Sequence, residues 1–224
     1  MRATWETRYS GDARRVQRYF DAVADNFNAI YLTPRFVDRL FRKDMYDRFR
    51  RTMDACHPVT GKTVLDIGCG SGQYAIALAQ AGASRVVGLD FARRMVTIAA
   101  DNAVRAGVSD RCTFVSGDFL SHPFQRRFDY CLAVGLFDYV SDPTPFLKKV
   151  YALTGEKFIA TFPRSLTWRA PIRRIRLHLK RCPVFFYSRR VVTELMAQGG
   201  FAVSGFEACG KLFWITGVPA GKGL

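Results

Sequence analysis

The sequence predicts an α/β protein built on one doubly wound, mostly parallel sheet of seven strands whose last strand is antiparallel. Three observations predict this fold. Short apolar runs alternate with amphipathic stretches along most of the 224 residues, one run stops at a glycine-rich turn, and the final two runs are separated only by Cys209-Gly210. Alternation favours parallel strands joined by helices, whereas so short a connection requires an antiparallel pair. The predicted architecture is therefore Rossmann-like.

The elements follow in order along the chain. Residues 12–55 have helical periodicity, which Thr33-Pro34 interrupts because proline starts a helix rather than continuing it. The predicted strands are 63–67, 85–90, 112–116, 128–134, 157–162, 201–208 and 211–217, and the predicted helices among them are 71–81, 92–106, 143–153 and 188–198. This order indicates an N-terminal helical lid at 1–59 and a core at 60–224, with a basic insertion at 163–187.

The first two strands each end in a carboxylate. Asp66 precedes a turn in which glycines alternate, Gly68-Cys69-Gly70-Ser71-Gly72, and a helix follows at once. Glycine allows a sharp turn and a close approach to a ligand, and the helix N-terminus presents free N–H groups. Asp90 lies 22 residues after Gly68, where doubly wound folds place the acid that binds a ribose. A carboxylate at Asp66 would repel a diphosphate and attract an ammonium group.

This stretch resembles the first motif of the class I S-adenosylmethionine-dependent methyltransferases, especially the small-molecule enzymes of the methyltransferase type 11/25 group. The resemblance covers about residues 60–217. It implies S-adenosylmethionine as cofactor and S-adenosylhomocysteine as product, and a reversed final strand is the rule in that family. The motifs are specific for the cofactor and do not identify the acceptor.

The resemblance and the strand ends together predict a cofactor site. Ligands of open α/β sheets bind beyond the carboxyl ends of the strands, at the switch point. Asp66 and the glycine loop are expected to contact the methionine portion, and Asp90 is expected to accept both ribose hydroxyls with its two oxygens. The predicted cofactor-binding residues are Asp66, Gly68, Cys69, Gly70, Gly72, Asp90, Phe91, Met95, Asp118, Phe119, Val134 and Gly135.

Two of these residues have an ordinary alternative role. The family position of Asp118 implies that it accepts the adenine amino group, but aspartate also commonly caps a turn. Met95 either offers apolar surface near the adenine or packs in the core. Both alternatives stay open at the level of sequence.

Few catalytic residues are expected, because methyl transfer from a sulfonium depends mainly on alignment and exclusion of water. Residues 18–31 resemble the N-terminal lid of the ubiquinone-pathway and magnesium-protoporphyrin methyltransferases, in which an aromatic residue like Tyr31 lines the reaction chamber; core packing is its alternative. Asp138 is either a weak base toward a hydroxyl or amine or a cap of the helix near Pro143. The magnesium-protoporphyrin enzymes have a histidine where Asp138 stands, which argues against a porphyrin carboxylate as acceptor.

The insertion at 163–187 is the most basic part of the chain. No acid occurs between Glu156 and Glu194, an interval that holds ten lysines and arginines. Its residues 172–181 predict a basic, partly amphipathic helix that acts as an acceptor lid recognising an anion, contacts an anionic membrane surface, or keeps its arginines in solvent. The predicted substrate-contacting residues are Tyr139, Arg173, Arg174, Arg176 and His178.

Composition limits the partners and the compartment. A net charge of +15 indicates attraction to nucleic acid, acidic lipid or an acidic substrate, or else a solvated basic surface. The six cysteines form no C-x-x-C pair and the three histidines lack ligand spacing, so neither a metal nor a disulfide framework is predicted. Several cysteines lie inside apolar runs, which fits a reducing cytoplasm best, and the sequence shows neither a signal-peptide pattern nor a transmembrane segment. A cytoplasmic protein is therefore predicted.

The predicted function is that of a methyltransferase acting on a small or lipid-linked, anionic acceptor, with oxygen methylation favoured. An RNA methyltransferase is one alternative; charge alone supports it, and no RNA-binding appendage is recognisable, so nucleic acid is the less favoured partner. A non-catalytic, cofactor-binding partner subunit is the other alternative.

Overall fold

The computed structural model describes residues 15–22, 24, 43–165 and 182–221, and its strands form one seven-stranded sheet. Residues 15–22 are helical and are called α1. The other helices are α2 (Lys43–Ala55), α3 (Gln73–Gln80), α4 (Arg93–Arg105), α5 (Pro143–Leu153) and α6 (Arg189–Gln198). The strands are β1 (Thr63–Ile67), β2 (Arg85–Asp90), β3 (Cys112–Ser116), β4 (Phe128–Ala133), β5 (Thr154–Pro163), β6 (Phe201–Cys209) and β7 (Leu212–Pro219).

The strand order is β3-β2-β1-β4-β5-β7-β6. Neighbours from β3 to β5 pair in parallel, whereas β7 runs antiparallel to both β5 and β6. The predicted doubly wound sheet with an antiparallel last strand is confirmed. Its connections wind outward in two directions from β1 and β4, so the switch point lies between these two strands and is the expected place for a ligand.

Apolar side chains cover both faces of the sheet. Along β1, Leu65 and Ile67 belong to the core that includes α5 and α6, while Val64 belongs to the core that includes α3. Side chains alternate across a strand, so Asp66 shares the α3 face with Val64. This alternation explains why a carboxylate inside an apolar run still belongs to a strand and comes to lie near the glycine loop.

Among the boundaries that differ from the sequence prediction, two differ for identifiable reasons. Helix α3 starts at Gln73 rather than residue 71, because Gly72 adopts a left-handed conformation (φ 83°) that a helix cannot contain. Strand β5 starts at Thr154, three residues early, directly after α5. Gly155 permits this, since a β-carbon there would lie 3.0 Å from the carbonyl oxygen of Phe128.

Helix α2 is packed against the sheet. Trp214 Nε1 donates to Thr52 Oγ1 at 3.4 Å, and Lys157 Nζ donates to the carbonyl of Ala55 at 2.6 Å. The division into a lid at 1–59 and a core at 60–224 stays a prediction. Within the residues described, no helix has the length and apolar character needed to cross a membrane.

Candidate functional site

The glycine loop is tied to the end of β2 by backbone hydrogen bonds. The N–H groups of Gly68 and Cys69 both donate to the carbonyl of Leu89, at 2.7 and 3.2 Å, and Gly70 N donates to Asp90 Oδ2 at 2.9 Å. Gly68 and Gly70 have positive φ values of 74° and 53°, which favour glycine. The loop predicted between β1 and α3 is therefore closed onto β2 rather than extended into solvent.

Two further loop residues pack closely against neighbouring elements of the fold. Cys69 is buried, and its thiol lies near the backbone of Gly88 on β2. A β-carbon on Gly72 would lie 3.0 Å from side-chain atoms of both Ala99 and Phe114. Cys69 and Gly72 thus shape the loop, and direct cofactor contact by either residue stays a prediction.

The side chain of Asp90 links the glycine loop to the start of the segment after β2. Its Oδ2 accepts from Gly70 N and its Oδ1 accepts from Ala92 N, both at 2.9 Å, and its side chain is buried. Burial raises the pKa of Asp90, and these backbone N–H groups oppose that shift. Each carboxylate oxygen has a second lone pair, so both remain able to accept a ribose hydroxyl as predicted.

Asp66 has an unusual environment. It is 1% exposed, and its Oδ2 accepts no hydrogen bond from the residues that the structure describes. Its pKa is raised to about 7, mainly by burial and in addition by the charge of Asp90, while the backbone N–H of Ala75 opposes the shift. A buried acceptor of this kind requires an explanation, and an ammonium donor supplied by a ligand provides one.

A cluster of apolar and aromatic side chains covers the ends of β2 and β4. Four separate parts of the chain contribute to it, and we call it the lid cluster. Its members are Val16, Tyr19, Phe20, Phe91, Tyr139, Cys182 and Val184. The rings of Phe20 and Tyr139 meet edge to face with centroids 5.1 Å apart, and Gln17 Nε2 donates to the carbonyl of Phe91 at 2.9 Å. Helix α1 therefore lies over the strand ends, and its role as a lid stays a prediction.

Met95 lies beneath α1. It is 1% exposed and packs with Ala24 and Ala92, while Phe20 contacts the same group from α1. The contacts of Met95 are therefore those of a core residue, which was the alternative left open by the sequence. Its contact with the adenine stays a prediction.

The two predicted site residues in the turn after β3 have different surroundings. Asp118 accepts hydrogen bonds from the N–H groups of Leu120 and Ser121, at 3.2 and 3.1 Å, so it caps the turn. Phe119 is buried in the core, with its ring centroid 4.4 Å from that of Phe146 on α5. Recognition of adenine by these residues stays a prediction.

The end of β4 brings in a residue that sequence reasoning missed. Val134 is buried, and the N–H of Gly135 donates to Thr161 Oγ1 at 2.8 Å. Gly135 has φ 83°, and a β-carbon there would lie 3.0 Å from Arg48 Nη1 on α2. The guanidinium of Arg48 thus lies against the backbone at the switch point. No local pattern distinguishes it from the other basic residues of α2.

Asp138 is buried in the loop after β4. Its backbone carbonyl accepts from Phe185 N at 2.9 Å, and its charge adds to the effect of burial in raising the pKa of Tyr187. The interpretation of Asp138 as the cap of α5 is wrong, because Asp142 accepts the hydrogen bond from Thr144 N at 3.0 Å. Its role as a weak base stays a prediction.

The remaining candidate residues lie outside the described residues. These are Tyr31, Arg173, Arg174, Arg176 and His178. In the part of the chain that the structure describes, no group of three or more histidine, cysteine or acidic side chains is placed to hold a metal ion.

Residues 64–156 match a family model described as a methyltransferase domain. Among curated proteins, the ribosomal protein L11 methyltransferase of Aliivibrio salmonicida is 51% identical over 55 residues, which are 25% of this chain and 19% of that protein. The ubiquinone biosynthesis O-methyltransferase of Pseudomonas paraeruginosa is 29% identical over 110 residues, 48% of this chain and 47% of that protein. The matches thus span between about a fifth and about half of those relatives' lengths.

Solved structures share the fold over nearly the whole chain. Magnesium protoporphyrin IX methyltransferase from Synechocystis PCC 6803, with bound S-adenosylhomocysteine, superposes with a TM-score of 0.79 at 19% identity, covering 93% of this chain and 100% of that one. The [4+2]-cyclase SpnF superposes with a TM-score of 0.72 at 17% identity, covering 92% and 96%. At such identities the likeness shows the fold alone.

Proposed function

Because residues 64–156 match the model of a methyltransferase domain, we propose that this protein is an S-adenosylmethionine-dependent methyltransferase. The observation that carries the proposal is the buried carboxyl of Asp66, whose Oδ2 accepts no hydrogen bond within the described residues and which lies beside the glycine loop. The loop and Asp90 complete a site suited to a ligand with an ammonium group and a ribose.

Three parts of the site have separate tasks in binding S-adenosylmethionine, which supplies a methyl group activated on a sulfonium. Asp66 binds the ammonium group, whose positive charge favours the ionised carboxylate and so lowers the pKa of Asp66 from the unliganded value of about 7. Asp90 accepts the ribose hydroxyls while it holds the glycine loop through Gly70 N. The end of β4 at Gly135 faces the reacting atoms.

The lid cluster and the loop after β4 promote the transfer itself. Phe20 and Tyr139 close the space above the strand ends, so water is excluded and the acceptor is held in line with the methyl group. Asp138, buried within this loop, receives the proton that a hydroxyl acceptor loses on methylation. Alignment supplies most of the rate enhancement, and the base supplies the remainder.

The acceptor that we propose is a small or lipid-linked molecule with negative charge, methylated on oxygen. The resemblance to an O-methyltransferase of ubiquinone biosynthesis supports oxygen as the methylated atom. The basic insertion at 163–187 supports a negative charge on the acceptor. Asp138, where the magnesium-protoporphyrin enzymes have a histidine, weighs against a carboxylate next to it. Contact of the insertion with an anionic membrane surface belongs to the same proposal.

The proposed compartment is the cytoplasm. All six cysteines are buried and free, including Cys112 and Cys209 on the strands. Burial raises the pKa of Cys131 to about 12 and that of Cys112 to about 11, so these thiols are poorly reactive core residues. Free buried thiols are compatible with a reducing compartment.

The first experiment incubates the protein with methyl-labelled S-adenosylmethionine and separate host fractions of metabolites, lipids and RNA. We expect label in the metabolite or lipid fraction, and none with the Asp90→Ala variant. Nuclease-sensitive label would replace the proposed acceptor with RNA. Cofactor binding without label in any fraction would favour the non-catalytic partner subunit.

A second experiment tests the anionic acceptor. Charge reversal at Arg173, Arg174 and Arg176 should weaken acceptor use and leave affinity for S-adenosylhomocysteine unchanged. The control reverses Arg85 and Arg126, which are exposed near the amino ends of β2 and β4, opposite the site. Equal acceptor use by both variants would contradict a role for the insertion in recognition.

A further inference from the structure

The carbonyl of Ser71, within the glycine loop, is bound by a side chain from outside the β1–α3 connection. Asn102 Nδ2 on α4 donates to this carbonyl at 3.0 Å, and Asn102 is buried. The amide oxygen of Asn102 accepts from Arg105 Nη1 at 2.9 Å. A guanidinium only donates and a carbonyl only accepts, so these two partners fix the orientation of the amide, with its nitrogen directed at the loop.

The peptide unit between Ser71 and Gly72 is held at both of its polar groups. Its carbonyl accepts from Asn102, and its N–H, which belongs to Gly72, donates to the carbonyl of Cys69 at 3.0 Å. Gly72 has φ 83° and directly precedes α3, so this peptide sets the direction in which the helix leaves the loop. The side chain of Ser71 adds no such restraint, because its buried hydroxyl makes no hydrogen bond among the residues described.

Packing beside this hydrogen bond makes α4 a support for the loop. Ala99 lies one turn before Asn102 on the same face of α4, and its β-carbon would lie 3.0 Å from a β-carbon on Gly72. An unpaired buried carbonyl is costly, so without the amide of Asn102 the loop would leave this conformation to expose Ser71 to water. A ligand of the loop would then have to restore the conformation, and its affinity would fall.

We propose that Asn102 is a positioning residue, which holds the glycine loop in the conformation that binds the methionine portion of the cofactor. This inference rests on the proposed function and deepens it by assigning a task to a buried residue of α4 that contacts the loop rather than the ligand. The adenosine portion, which Asp90 binds, should be nearly insensitive to Asn102.

The test compares the affinities of two ligands by calorimetry. They are S-adenosylhomocysteine and methylthioadenosine, which keeps the adenosine and the thioether but lacks the amino-acid end. Wild-type protein should prefer S-adenosylhomocysteine by about a hundredfold, because the smaller ligand makes no contact with Asp66 or the loop. Asn102→Leu, which has a similar length and no donor, should lower this preference by about fivefold to twentyfold. Asn102→Asp has the same shape and should lose as much, because a carboxylate cannot donate.

The ratio of the two affinities separates positioning from stability. Both ligands bind the same folded fraction, so partial unfolding lowers both apparent affinities equally and leaves their ratio unchanged. Thr97→Val is the control, because it removes a hydrogen bond to the carbonyl of Arg93 on the same helix, at an exposed position, and should keep the wild-type ratio. A wild-type ratio in both Asn102 variants would overturn the inference and leave the proposed function standing. Wild-type protein that binds neither ligand would contradict the proposed function itself.

Discussion

The two halves of the candidate site, one proposed to bind the cofactor and the other proposed to hold the acceptor, are built in different ways. In the cofactor half, at the ends of β1 and β2, backbone N–H groups converge on a buried carboxylate: Gly70 and Ala92 both donate to Asp90. In the acceptor half, around the end of β4, ring contacts such as that between Phe20 and Tyr139 join segments that are distant in the chain. Directional hydrogen bonds hold the first half, and apolar packing holds the second.

This difference predicts different responses to mutation. A buried carboxylate that accepts two backbone hydrogen bonds cannot be removed without leaving their donors unpaired, which costs more than the bonds contribute. Ring contacts are weaker and interchangeable. Cofactor binding should therefore be sensitive to single substitutions, whereas acceptor use should change gradually. The following predictions test this contrast in order of expected effect.

The largest effect should come from Asp90→Ala. The change removes the acceptor for Gly70 N and Ala92 N together with the predicted ribose contact. We expect affinity for S-adenosylhomocysteine to fall by at least about a hundredfold, as titration calorimetry would measure. Asp110→Ala, at an exposed carboxylate, is the control and should bind normally. Unchanged affinity in Asp90→Ala would refute the ribose assignment.

Asp66→Asn should change the pH dependence of the protein's stability. Burial raises the pKa of Asp66 from its ordinary value of 3.8 to about 7, so between these values the folded chain holds a proton that the unfolded chain has released. This group therefore lowers stability as pH rises from about 4 to 7, and its effect is constant above that range. Asp66→Asn should gain stability over wild type at pH 8 but not at pH 4, measured by thermal unfolding.

The same substitution should weaken cofactor binding. Only the ionised carboxylate attracts the ammonium group, so wild-type affinity for S-adenosylhomocysteine should rise as pH increases toward 7. We expect Asp66→Asn to bind about tenfold to a hundredfold more weakly at pH 8 and to lose most of this rise. A variant that retained wild-type affinity at pH 8 would exclude Asp66 as the ammonium ligand.

Tyr139→Ala should have a moderate effect confined to the acceptor half. It removes the edge-to-face contact with Phe20 and loosens the lid cluster. We expect the methyl-transfer rate to fall by about twofold to tenfold, with cofactor affinity nearly unchanged. Tyr139→Phe keeps the ring and is the matched control. A loss of cofactor affinity as large as that of Asp90→Ala would contradict the separation of the two halves.

The smallest effect should come from Asp118→Ala. Loss of the hydrogen bonds from Leu120 and Ser121 should lower the free energy of unfolding by about 1 kcal/mol. If Asp118 also accepts the adenine amino group, affinity for S-adenosylhomocysteine should fall by about fivefold. Affinity for S-inosylhomocysteine, which lacks that amino group, should then stay the same. Equal losses for both ligands would leave Asp118 as a turn cap only.

The parts of this protein that its sequence determined are those in which the signal is local. Strands β1, β2 and β3 have the predicted bounds, because each is a short apolar run closed by an acid, a glycine or a turn. Asp66, the glycine loop and Asp90 come together as predicted, since the loop and both strand ends lie within one β-α-β unit. The parallel sheet follows from the same alternation.

Only the tertiary structure decided which distant side chains meet at the site. Arg48 contacts Gly135 because α2 packs across β6 and β7, and the lid cluster forms because α1 and the chain after residue 181 converge on β2 and β4. Likewise, the side chain of Asp118 is oriented by the turn that it caps, and that of Phe119 by its contact with the ring of Phe146. Periodicity places a residue on a face of its own element, but contacts between elements depend on how those faces pack.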